Sequence, residues 1–334
     1  MQIIFSEASR LQDSVFGIAQ NAIARFLEAR GQGFEQESML KSVYCMGTSQ
    51  NPADVFTGMT AMEGFKPVGE NGAHPVDGMQ EGFQKTLVYE TWKDSFSISR
   101  EAMDDGKIMD LKQKPAAFLL SYYGTRERFG ACLYGSAIKT QPAAEFGGKK
   151  FDIKTADGKP LFDKAHPAKV KGAVQTNQFV DAFSDDALGK METAMQNFKG
   201  DNDELLDVAP DTILIPNIHS LKKKVFAAVG ADKEPTTGNN AFNYQFGRWN
   251  IIIWNYLNRY ITASTEPWIL MDSKFNELYG GAIFNDRVEL EVTSSVERNT
   301  NANIWDGYAR FNGTFNDWRF GAVGGVAGGS TLPG

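Results

Sequence analysis

The sequence predicts an α+β fold, and three observations predict it. From Lys85 to Ile98 a run rich in β-branched and aromatic residues alternates without proline or glycine, Val88, Glu90 and Trp92 against Leu87, Tyr89 and Thr91, as a strand does. From Ser99 the period changes, and Phe118, Leu119, Tyr122, Tyr123, Phe129, Cys132 and Leu133 recur at helical spacing, which predicts a helix of about six turns or fewer. Downstream, helical and strand patterns mix and then give way to successive short strands. At 334 residues the chain exceeds one usual core, so two domains, or one domain with long excursions, are expected.

Between Ser9 and Arg30 the residues Val15, Ile18, Ala19, Ala22, Ile23, Phe26 and Leu27 form one apolar stripe, and Gly31 and Gly33 supply a stop. This is an amphipathic helix whose stripe needs cover from its own core or from a neighbouring chain. Residues 58–82 are dense in glycine and interrupted by Pro67 and Pro75, which marks an extended arm or hairpin. A two-stranded ribbon of this kind is marginal alone in water and persists by lying on another surface. After the helix, residues 139–178 are polar and turn-rich, a small β-excursion. Residues 185–198 are a helix opened by acidic side chains, 211–216 a short buried strand, and 217–229 a second helix, together a compact subdomain. Strands are expected at 249–255, 267–272, 288–294 and 306–314. The glycine-rich end, residues 321–334, has no periodicity and needs something to hold it down.

Composition narrows the function. The chain carries 34 basic and 41 acidic residues, a net charge of −7, which disfavours a general nucleic-acid-binding surface. The run Lys222, Lys223, Lys224 points around its helix and reads as a solvated face. No apolar stretch approaches the roughly 20 residues of a membrane span, and the N-terminus lacks the basic start and apolar core of a signal peptide, so a protein made in the cytoplasm is expected. Cys45 and Cys132 follow no metal or redox spacing and are expected to be reduced.

The most tempting catalytic set is Asp163 and His166, with Asp152 nearby. A histidine beside carboxylates is able to serve as a base or a metal ligand, and a metal-dependent hydrolase is therefore the competing reading. Against it, no paired histidine motif, nucleophile elbow, phosphate loop or dinucleotide fingerprint is present, and a turn histidine ahead of Pro167 is the plainer reading. Gly200 to Glu204 lacks the central glycine and distal glutamate of a calcium loop. No cofactor is expected. Trp249, Trp254, Trp268, Trp305, Tyr308, Phe311, Phe315, Trp318 and Phe320 have two readings, a base-stacking platform or core packing, and strand spacing favours the core.

The series FSISREAMDDG before a long helix, PLFDKAHP, LLDVAPDTILIPNIHSLKKKVFAA, PWILMD and a strand-rich end resembles the major head subunits of Mu-type tailed phages, over about residues 82–318. That family is similar in fold to the Hong Kong 97 capsid protein. The resemblance implies an N-terminal arm (1–57), an extended loop or β-hairpin (58–98), a peripheral domain with spine helix and β-excursion (99–184), a mainly axial domain (185–270), and C-terminal strands with the glycine-rich tail, partly returning to the peripheral domain (271–334). It implies a virion shell protein assembled in the host bacterial cytoplasm, not an enzyme, whose partners are identical subunits in hexamers and pentamers. A separate scaffolding protein, a portal and a decoration protein are further expected partners, with DNA enclosed without sequence-specific binding. The other virion roles in play are tail and decoration protein. Loop residues expected to meet a neighbouring subunit are Phe65, Lys66, Pro67, Val68, Gly69, Glu70, Leu87, Tyr89 and Trp92; in the arm they are Val15, Ile18 and Phe26. Some relatives are cross-linked through lysine, and Lys66 and Lys85 lie in or beside the loop, with nothing to mark a partner for either.

Overall fold

A computed structural model describes residues 4–7, 27, 30–31, 33–34, 37–59, 67–68, 70, 73–74, 81–105, 108–230, 243–261 and 265–333. Among the described residues there are two larger sheets, two ribbons and one long helix. The five-stranded sheet contains β1 (Ile4–Glu7), β2 (Cys45–Thr48), β5 (Glu90–Ile98), β11 (Ala282–Val296) and β12 (Asn303–Phe315), in the order β1-β11-β12-β5 with β2 also on β11. The four-stranded sheet runs β13-β10-β8-β9, from Gly321–Gly324, Trp268–Met271, Thr212–Pro216 and Asn250–Trp254. The ribbons are β3 (Ala53–Met59) with β4 (Glu81–Val88), and β6 (Ala143–Phe146) with β7 (Lys149–Asp152), each antiparallel. Six α-helices have described bounds, α1 (Leu40–Val43), α2 (Arg100–Asp104), α3 (Ile108–Ile138), α4 (Asp185–Gln196), α5 (His219–Val229) and α6 (Ser273–Tyr279), and a 3-10 helix spans Asn255–Arg259.

Helix α3 is longer than its apolar pattern predicts. It has 31 residues, about 46 Å at 1.5 Å per residue, and Pro115 lies inside it. A proline two turns in removes one backbone bond, and the residue itself is buried. In the first part alternating turns are exposed, whereas every residue from Phe129 to Ile138 is buried, so no amphipathic stripe marks this half. Here the helix passes through the main core, where Phe129, Leu133 and Tyr134 meet Phe284, Phe311, Phe315 and Trp254. The short helix α2 ahead of it is capped by Ser99, whose hydroxyl accepts from the Ala102 amide at 3.3 Å.

The run at 85–98 is two strands. It breaks at Tyr89, so β4 belongs to the ribbon and β5 pairs with β12 from Glu90 to Ile98. The strands expected at 288–294 and 306–314 are parts of one long hairpin of 15 and 13 residues, with register shifts on either side of Val288. The glycine stop at Gly31 and Gly33 does not hold, because both residues and Phe34 are helical. The Phe34 ring packs 5.7 Å from that of Tyr123, which offsets the roughly 1 kcal/mol that a helical glycine costs.

The tail is held by its own chain. The Phe179 amide donates to Val323 O at 2.8 Å, Val180 to Ser330 O at 2.9 Å and Ser330 to Gln178 O at 2.8 Å, while the Leu332 amide donates to Asp181 Oδ2 at 2.8 Å. Glycine makes this contact possible: a Cβ on Gly329 would lie 2.6 Å from the Phe179 carbonyl carbon. What the glycine-rich end needs to hold it down is therefore supplied by residues 178–181 of the same chain.

Candidate assembly site at the root of the ribbon

The ribbon β3-β4 leaves the five-stranded sheet as a continuation of β5, and its root is packed on the subunit. Leu87 and Tyr89 are buried, at 2% and 3% exposure, against Ile283 of β11 and half-buried Phe56. Alternation puts Lys85 on the same face, and this lysine is only 6% exposed. Its Nζ donates to Asp152 Oδ2 at 2.8 Å at the end of β7. The neighbouring strand adds Asn312 Nδ2, which donates to Val88 O at 2.7 Å.

A polar clasp closes the root at Tyr89. The Tyr89 hydroxyl donates to Asp54 Oδ2, Ser49 Oγ donates to Asp54 Oδ1 at 2.8 Å, and Asn51 Nδ2 to the same oxygen at 3.3 Å. Burial acts to raise the Asp54 carboxyl, and hydrogen bonds from Tyr89, Ser49 and Asn51 outweigh it, leaving the group below the ordinary carboxylate range. The Tyr89 phenol is pushed up, first by burial and then by its bond to Asp54.

These positions sort the expected contact residues. Pro67, Val68 and Glu70 are exposed. Phe65, Lys66 and Gly69 of the loop and Val15, Ile18 and Phe26 of the arm lie outside the described residues. Leu87 and Tyr89 are used up in the packing of their own subunit. Trp92 is half-buried, stacked on Phe311 with centroids 4.8 Å apart, its Nε1 donating to Phe311 O at 3.1 Å. Lys85, paired and buried, is not presented for cross-linking. At the arm's root Leu27 is fully buried with Phe118, Leu119 and Tyr123 of α3. Nothing in the sequence marked Asp54 or the pairing of Lys85 with Asp152; the signal for the burial of Lys85 was a lysine in register with Leu87 and Tyr89.

The histidine cluster assembles differently from the expectation. His166 is fully buried, with Nδ1 2.7 Å from Asp157 Oδ2 and Nε2 3.2 Å from Asn177 Oδ1, and its ring stacks on Trp318 at 4.3 Å. Asp163 instead accepts from the Ala165 amide at 2.9 Å, a local turn bond, and Asp152 serves Lys85. The Asp157 carboxyl is raised by burial and lowered more strongly by His166, Thr155 and the Lys159 amide, so it lies below its ordinary value. Asn177 is oriented by Nδ2, which donates to Leu161 O at 2.8 Å and Gly321 O at 3.1 Å. The cluster ties the excursion to the chain's end. Among the described residues no group of three or more His, Cys, Asp or Glu side chains is placed to hold a metal.

The remaining sequence signals resolve into packing. Trp249, Trp254, Trp268, Trp305, Phe311, Phe315, Trp318 and Phe320 are buried and Tyr308 is half-buried, which removes the stacking platform. Lys224 pairs with Glu266 at 2.6 Å, and Lys223 is exposed on a different side of the helix from buried Leu221 and Val225. No described helix is long and apolar enough to cross a membrane.

A long helix packed on a sheet, a ribbon drawn out from that sheet, and a second sheet with flanking helices define a Hong Kong 97-like capsid fold. A chain from Mycobacterium phage Patience shares it, with TM-score 0.50 and 10% identity over 100% of this chain and 95% of that one. Also similar are a chain of the bacteriophage JBD30 capsid, TM-score 0.48 and 13% identity over 66% and 91% of the two chains, and one from the capsid of an empty GTA particle, TM-score 0.49 and 11% identity over 87% and 90%. No curated protein sequence matches. The chain belongs to the phage capsid protein family, whose profile matches residues 86–324. It is a capsid shell protein of a phage head.

Proposed function

We propose that the chain is the subunit that builds an icosahedral phage head, self-assembling into hexamers and pentamers that enclose double-stranded DNA. The observation that supports this best is the extent of the family match, which takes in the long helix, the four-stranded sheet, the three strands β5, β11 and β12 of the five-stranded sheet, and the ribbon's end at Thr86 to Val88. Rings of five and six arise from one heterologous contact closing by rotation, which needs an element that reaches outward. The ribbon is that element, with Pro67, Val68 and Glu70 among its neighbour-facing residues and Phe65, Lys66 and Gly69 beside them in sequence. The arm residues Val15, Ile18 and Phe26 make the second contact. The spine helix and five-stranded sheet form the peripheral domain, and the four-stranded sheet with α4 and α5 forms the axial domain.

Assembly takes place in the host cytoplasm with a separate scaffolding protein and a portal, and a decoration protein binds the finished shell. DNA is held without sequence preference, in keeping with the net charge of −7. The role is not enzymatic: His166 has no exposed surface and both ring nitrogens are engaged, while the Asp163 carboxylate serves a turn.

Electron microscopy of the purified full-length protein, expressed with its scaffold, tests the reading. Closed shells with fivefold and sixfold capsomers are expected, and deletion of residues 65–81 should leave soluble subunits or loose rings. Shells of normal yield and size from the deletion variant would remove the loop from the assembly mechanism; a full-length protein that forms no capsomers would remove the reading itself.

A further inference from the structure

We propose that the excursion segment from Lys149 to Lys169 is an ionic brace that sets the direction in which the ribbon leaves the subunit. Three lysine contacts join the two elements at successive levels. Lys149 Nζ meets Glu90 Oε2 at 2.8 Å where β5 begins, Lys85 Nζ meets Asp152 Oδ2 at 2.8 Å in the middle of β4, and Lys169 Nζ donates to Gly82 O while lying 5.5 Å from the Phe83 ring centroid. The outermost contact falls where the two backbones crowd each other: a Cβ on Gly82 would lie 2.7 Å from Gly58 O. A two-stranded ribbon has little apolar burial of its own to fix its angle. Among the described residues its apolar anchorage is the cluster of Leu87, Tyr89, Phe56 and Ile283, and the lysine contacts add to it.

The middle contact is asymmetric, which makes the device testable. Lys85 has 6% of its side chain exposed and Asp152 has 65%. Removing Asp152 strands a buried ammonium, whereas removing Lys85 leaves a carboxylate in water, so the two substitutions differ in cost although they break the same bond. Because the brace lies within one subunit, it orients the loop of the proposed shell protein but its test needs no shell.

The experiment is amide hydrogen exchange on the purified full-length subunit, reading residues 53–59 and 81–88 against the β8 and β10 amides as an internal reference. For Asp152→Asn, exchange in the ribbon is expected to rise about tenfold or more, for Lys85→Met by less than about threefold, with β8 and β10 unchanged in both. Raising sodium chloride to about 0.5 M should accelerate ribbon exchange in the wild type and far less in Lys149→Gln/Lys169→Gln, which alters exposed lysines only. Unchanged ribbon exchange in Asp152→Asn, an equal rise in β8 and β10, or a salt response identical in wild type and the double variant would each overturn the brace. Its failure would leave the shell reading untouched, since that is judged by particles.

Discussion

The ion pair between Arg126 of the long helix and Asp286 of β11 offers the sharpest test of how the spine is held to its sheet. Arg126 is 4% exposed and Asp286 6%. The guanidinium binds the carboxylate through two nitrogens, at 2.5 and 2.8 Å, and donates from Nη1 to the Tyr122 hydroxyl at 3.0 Å. Its planar face lies 4.9 Å from the Phe311 ring centroid and 5.1 Å from that of Phe284. Burial alone would lower the arginine's affinity for its proton, but Tyr122 and Asp286 raise it, so the charge stays.

Changing Asp286 to Ala leaves that charge facing two aromatic rings and a tyrosine. Loss of one partner of a buried pair costs about 3–5 kcal/mol. A cleft of 280 Å³ lined by Arg126, Lys41, Met46 and Glu289 admits some water, which places the expected loss near the lower bound, about 3 kcal/mol, or a factor of roughly 150 in the folding equilibrium. The double substitution Arg126→Met/Asp286→Leu removes both charges and should lose less than Asp286→Ala alone. Urea unfolding of the subunit, followed by tryptophan fluorescence, measures both. A loss below about 1 kcal/mol for Asp286→Ala, or a double variant less stable than the single, would refute the argument that an unpaired buried guanidinium is the dominant cost.

Two further outcomes follow from the excursion and the tail. Because the folded Asp157 carboxyl lies below its ordinary value of about 3.9, its contribution to stability is present above that value and lost as pH falls through the folded one; Asp157→Asn should flatten the acid limb of unfolding measured below about pH 4. An acid limb of unchanged slope in the variant would exclude this carboxylate as a source of acid sensitivity. Gly329→Val should release the end of the chain, since its Cβ would sit 2.6 to 2.9 Å from the backbone of Phe179, with faster exchange at Val180, Ser330 and Leu332 and little change in α3. Retained protection at Val180 would show that the tail shifts without undocking.

The sequence made the strand into the long helix legible because both patterns are driven by a face and a period. Residues 185–196 and 212–216 were read to within a residue or two for the same reason, the former opened by Ser184, whose hydroxyl accepts from the Ala187 amide at 3.1 Å. The buried half of α3 was less legible, since a helix enclosed on all sides has no stripe to reveal its length. Helix α6 was missed: its seven residues span two turns, fixed by Asp272 at its start and left-handed Gly280 at its end. At the candidate site, spacing could bring Asp163 near His166 on paper, but the pairing with Asp157 depends on a turn at Gly158 and on Asn177, which is distant in sequence. Polar pairings of long separation leave no period in the sequence, and Lys85 with Asp152 is another of them.

The single residue between β4 and β5 has a mechanical consequence. Tyr89 is all that separates a strand paired with β12 over Glu90 to Ile98 from one that pairs only with β3. Backbone direction is therefore inherited by the ribbon from the sheet, and a tilt of the ribbon must be absorbed at Tyr89 or transmitted to β12. Absorption there is opposed by the hydroxyl's bond to Asp54, by Asn285 Nδ2 at 3.4 Å and by Arg310 Nη2 on the Tyr89 carbonyl at 3.4 Å. Transmission leads into the sheet on which Phe118 packs beneath Phe96, with ring centroids 5.2 Å apart, and so into the long helix. A neighbour that bends the ribbon thus acts on the sheet and the long helix packed against it, while a neighbour that meets it in its braced direction does no work on the fold. The geometry favours partners presented at a narrow range of angles, which is the requirement that the rings proposed above would impose.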